Sequence, residues 1–153
     1  MGTDSCGSMI AYCGLYCVAC SFKTACEEKD MRHILAMPGK YDKHKTAPLE
    51  APCAGCKPDP DSCGDCGIRT CAEAKGVGHC GACADFPCER ITAFANDGIP
   101  HHMETLANLR ALRDLGEEKW LQKQKERWTC SCGARLSWYL AQCPKCSLAI
   151  KRP

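Results

Sequence analysis

Large apolar side chains are scarce in this chain. It has only 2 valines and 3 phenylalanines, and Leu, Ile, Val and Phe together make up 22 of its 153 residues. That share lies below the roughly 20% at which an apolar core carries a fold. A strong net charge is also missing, at +2, so the self-repulsion that keeps disordered chains open is absent. No stretch reaches the roughly 18 apolar residues of a membrane span. The first twenty residues contain no Lys or Arg, so no secretory leader is expected and the chain reads as cytoplasmic.

What is abundant is cysteine, with 17 residues, a share above the roughly 8–10% that marks a chain stapled by disulfides or metals. Without a leader to an oxidising compartment, reduced thiols bound to metal are the expected staple. The fold expected is small, metal-stapled and mostly α with irregular loops. It comprises a cysteine-knuckle domain over residues 1–100, a helical hairpin over 101–128 and a C-terminal zinc ribbon with short β strands over 129–153. The first part carries 10 basic against 13 acidic residues and the remainder 10 against 5, so the C-terminal third is mildly positive.

Helix signals are uneven. Ala25, Met31, Ile34 and Leu35 suggest one helix from Lys23 to Met37, stopped by Pro38-Gly39, and the polar segment from Lys40 to Pro52 reads as a loop. A short helix is expected from Cys88 to Ala95, with Gly98 at its left-handed end. The strongest pattern is Met103, Leu106, Leu109, Leu112 and Leu115, broken at Gly116 and followed by a second helix with Trp120, Leu121 and Trp128 on its apolar face.

The C-terminal cysteines form two close pairs, Cys130-Ser-Cys132 and Cys143-Pro-Lys-Cys146. Two such pairs supply the four thiolates of a tetrahedral zinc site, with iron in the same thiolate geometry as the rival. The N-terminal set comprises Cys13, Cys17, Cys20, Cys26, Cys53, Cys56, Cys63, Cys66, Cys71, Cys80, Cys83 and Cys88, and includes three Cys-x-x-Cys knuckles at 53/56, 63/66 and 80/83. With Cys6 as the remainder, these twelve divide into three four-ligand sites whose pairing the spacing leaves open. Several zinc ions are expected, with a four-iron four-sulfur cluster in the N-terminal part as the alternative.

Cys13, Cys17 and Cys20 also reproduce the C-x3-C-x2-C spacing with which radical enzymes using S-adenosylmethionine hold three corners of a cluster. A chain of this length spent on cysteine loops cannot build the barrel such enzymes need. His79, beside Cys80, is a weaker ligand candidate, a place at the surface or behind the ligands being preferred, and His101 and His102 are expected in solvent. No Ser/His/Asp order, paired-carboxylate motif or phosphate loop is present, so no catalytic residue and no small-molecule substrate is assigned. The function expected is a non-catalytic structural or interaction module with a protein partner. The rivals are electron transfer or redox sensing, and nucleic-acid binding through the positive tail, with Trp138 and Tyr139 available for stacking.

The motif order resembles a known family. Tyr12-Cys13-Gly14-Leu15-Tyr16-Cys17-Val-Ala-Cys20 is followed by Cys53-Ala-Gly-Cys56, Cys66-Gly67-Ile68-Arg69-Thr-Cys71-Ala72, Lys75-Gly76-Val77, Cys80-Gly-Ala-Cys83 and Phe86-Pro87-Cys88. It is similar to the cysteine-rich prokaryotic family called domain of unknown function 3795, over about residues 10 to 96. The resemblance implies a small metal-binding protein frequent among anaerobes, with some members continuing into a Trp-x-Cys ribbon, and implies no reaction.

Overall fold

The computed structural model describes residues 9–46, 57 and 65–151. The chain divides into two compact units, each drawn from stretches far apart in sequence. The described parts of one are 9–17, 57 and 65–123, and those of the other are 18–46 and 124–151.

In the second of these units the expected single helix is two, α1 (Ser21–Glu28) and α2 (Arg32–Leu35). Lys29 takes a left-handed conformation with φ 53°. Asp30 Oδ1 then accepts the Arg32 backbone N–H at 3.0 Å, the kind of local side-chain bond that competes with helix propagation. Ala25, Ile34 and Met37 form a small core, with Phe22, Met31, Tyr41 and Tyr139 packed against it. Where polarity and proline suggested only loop, a 3-10 turn at Gly39–Tyr41 leads into a one-turn helix, α3 (Asp42–Lys45). From the C-terminal stretch, Trp128, Leu136 and Leu140 are buried, and the Trp128 indole N–H finds Gln124 Oε1 at 3.1 Å.

The other unit contains α4 (Gly67–Lys75), α5 (Glu89–Ala95) and α6 (Thr105–Leu115). To these is added α7 (Glu117–Arg127) as far as Lys123. Helix α6 packs against α5 and against the 3-10 turns Cys80–Ala82 and Pro100–Glu104. A three-residue step falls about 60° short of a full helical turn, so the leucine series drifts around the axis. Leu109 and Leu112 are buried, whereas Leu115 and Met103 at the ends of the series are exposed. Asn108 fills the face instead, donating from Nδ2 to the Gly14 carbonyl at 3.0 Å. Trp120, 1% exposed, meets Tyr16 edge to face at 6.0 Å.

The short β strands expected of a zinc ribbon do not form. Among the described residues, strand pairing is limited to isolated bridges, Ile10 with Tyr16, Thr129 with Arg135 and Gln142 with Ala149. The last two each close a tight loop around one cysteine pair. Before Thr129 the ladder has no strand to continue on, because α7 runs to Arg127, and the Trp138 N–H goes instead to the Ala19 carbonyl at 3.1 Å. No helix among the described residues is long and apolar enough to cross a membrane.

Candidate metal centre

The two C-terminal cysteine pairs converge. The sulfurs of Cys130, Cys132, Cys143 and Cys146 all lie within 4.8 Å of one another, with Cys130 to Cys146 and Cys132 to Cys143 each at 3.6 Å. Four thiolates bonded tetrahedrally to zinc at 2.3 Å stand about 3.8 Å apart, so the spacing fits one ion and leaves no room for more. The backbone supports this arrangement. Gly133 turns the chain after the first pair with φ 87°, a region closed to most side chains. The Lys145 N–H points at Cys143 Sγ from 3.4 Å.

These donors shape the thiols' acidity. Burial opposes ionisation of Cys143, yet the N–H groups of Cys146 and Lys145 and the neighbouring thiols hold it down at about 6. The Cys132 N–H lowers Cys130 in the same way. Cys146 receives an N–H from Leu148 that favours its thiolate, but the other thiols and burial push it up to about 11. Crowded thiols resist losing all their protons together until a cation neutralises them.

The loops carrying these pairs are fixed to α1 and α2 by side chains that no sequence pattern singled out. Arg135 donates from Nε and Nη2 to the Val18 carbonyl at 2.9 and 2.8 Å and pairs with Glu27. Arg32, itself held by Asp30, reaches the Pro144 carbonyl at 2.5 Å. His33, buried at 1% exposure, places Nδ1 2.7 Å from Ser137 Oγ in the segment between the pairs. Tyr139, considered above for base stacking, is committed to the α1/α2 core.

The remaining cysteines occupy recurrent positions. Cys17 begins a 3-10 turn, Cys26 lies in α1, and Cys20, Cys66 and Cys88 each stand at the N-cap of a helix, α1, α4 and α5. Cys13 sits at the turn that Gly14 closes with φ 83°. Cys53, Cys56 and Cys63 lie outside the described residues, as does Cys6. Cys71, Cys80, Cys83 and Cys88 line one cavity of about 20 Å³. Cys80, half-buried there, is pushed up to about 11, first by burial and then by the facing Cys88, Cys71, Cys83 and Cys66. Lys75 Nζ lies 3.7 Å from Cys83 Sγ and pairs with Asp85.

The histidines are less exposed than a surface position would make them. Of the two placements open to His79 the surface is excluded, since it is buried, with Nε2 3.9 Å from a Glu117 carboxylate oxygen. His102 is partly buried, stacked on Phe94 at 3.8 Å and 2.7 Å from Asp97 Oδ2.

Helical, poor in strands and rich in cysteine, with a four-thiol group that can hold a metal ion, the chain falls in the class of small metal-binding-competent proteins built on knuckles. Residues 9–93 match the model of the family described as protein of unknown function (DUF3795), and the chain belongs to that family. It matches no curated protein and no solved structure.

Proposed function

We propose that this is a non-catalytic zinc protein in which the C-terminal centre staples the unit formed by 18–46 and 124–151, acting as an interaction module for a protein partner in a reducing compartment such as the cytoplasm. The observation that carries the reading is the convergence of Cys130, Cys132, Cys143 and Cys146 on one point at single-ion spacing. Zinc with four thiolates has a closed shell and no redox chemistry, so it contributes folding free energy and not a reaction. Four protein thiolates leave no position for water or substrate.

Elemental analysis of the full chain prepared without oxygen tests this. One zinc per chain should be lost on Cys143→Ser substitution, and chelation should unfold the α1/α2 unit. Zinc content that is unchanged in Cys143→Ser, or iron in place of zinc at this centre, would refute the proposal.

A further inference from the structure

Cys71 lies in α4, Cys80 begins the 3-10 turn Cys80–Ala82 and Cys83 follows it, and Cys88 immediately precedes α5. Three separate elements thus bring four thiols to the wall of one cavity. The rest of the wall is Ala72, Val77, Phe86, Ile91 and the stem of Lys75. The thiols surround a space and do not meet at a point. Among the described residues, the C-terminal four are the one group whose sulfurs all lie within 4.8 Å. Between the cavity thiols, the room open to the centre of a water-sized sphere is about 20 Å³. A single ion bonded to four sulfurs at about 2.3 Å leaves no such room.

Four thiols held apart around a space suit a cluster better than a single ion, because iron and sulfide stand between the thiolates. We propose that Cys71, Cys80, Cys83 and Cys88 bind a four-iron four-sulfur cluster, each thiol giving up its proton to bond one iron. This is a second inorganic centre independent of the C-terminal one.

The surroundings suit that load. Four thiolates on a cluster leave net negative charge, and Lys75 Nζ, shared between Cys83 and Asp85, offsets part of it. The rest of the lining is mostly apolar, which limits the water that reaches iron and sulfide. The knuckle is held in place by the Cys80 N–H on the Tyr12 carbonyl at 2.8 Å. It is also held by Gly81, where an added Cβ would meet the Leu109 carbonyl oxygen at 2.6 Å. Cys66 is an electrostatic neighbour of Cys80 but does not line the cavity, which makes it an internal control.

Full chain reconstituted without oxygen with equal amounts of ferrous and ferric iron and with sulfide is the test, read by visible absorption, iron and acid-labile sulfide. About four iron per chain are expected. The band should be lost from Cys71→Ser, Cys80→Ser, Cys83→Ser and Cys88→Ser and kept in Cys66→Ser and Cys143→Ser. The zinc of the C-terminal centre, retained in the four cavity variants, reports that they fold. Loss of that zinc in Cys143→Ser alone separates failure of one proposal from failure of the other. Iron X-ray absorption on the unsubstituted chain should show iron neighbours at cluster distance. The inference is overturned if no iron and sulfide are taken up, or if iron lacks an iron neighbour. A second zinc filling the site would also overturn it, as would a band that survives the four cavity substitutions and vanishes with Cys17→Ser.

Discussion

His33 is nearly inaccessible to solvent and touches Ser137, so its charge state bears on how the cysteine loops sit on α2. Burial lowers its pKa. Asp30 and Glu28 oppose that shift, while Arg135 and Arg32 reinforce it. An unfolded histidine takes up its proton near pH 6.5 and the folded one only at lower pH. The stability contributed by the neutral ring is therefore complete above about pH 6.5 and is lost as pH falls below it. In zinc-loaded protein, Tm should fall more steeply between pH 7.5 and 5.5 for the natural chain than for His33→Asn, whose amide can keep the Ser137 bond without titrating. Parallel pH profiles would show that His33 does not titrate on unfolding. Nothing in the sequence marked this residue, because one buried histidine has no period and no spacing, whereas the four cysteines announce themselves as pairs.

At the scale of elements, the knuckle Cys80-Gly-Ala-Cys83 is seated by the missing side chain of Gly81 against α6. A methyl there would strike the Leu109 carbonyl oxygen, a backbone atom that cannot swing aside. Gly81→Ala should cost about 1–3 kcal/mol, seen as a lower urea midpoint with unchanged m-value. An unaltered midpoint would mean that the turn shifts freely. The helices were legible in proportion to their apolar periodicity. Helix α6 was plain and α5 was bounded by Pro87 and Gly98. Helix α4 was missed because only Ile68 and Ala72 are buried in it, one pair too few to form a recognisable face. The break at Lys29 was missed for the opposite reason, since the apolar spacing runs across it and a local bond from Asp30 decides against continuity.

The whole molecule is partitioned in a way that composition could not reveal. Cysteine density and charge divide the sequence into consecutive parts, while the compact units join 18–46 to 124–151. That pairing rests on long-range bonds, Trp138 to Ala19, Arg135 to Val18 and Arg32 to Pro144. Because the C-terminal centre and α1/α2 belong to one unit, hydrogen exchange in Cys143→Ser should quicken across α1 and α2 together with residues 128–150, while α6 keeps its protection. Faster exchange confined to 128–150 would show that the helices stand without the metal loops.

The same interleaving has a consequence for synthesis. A ribosome delivers chain at roughly 5–20 residues per second, so α1 and α2 emerge several seconds before the stretch that completes their unit. During that interval the thiols of Cys20 and Cys26 are presented without the 124–151 stretch that shares their unit. Until then the segment from Val18 to Met37 lacks the bonds that Arg135, Trp138 and Pro144 supply to it in the finished unit.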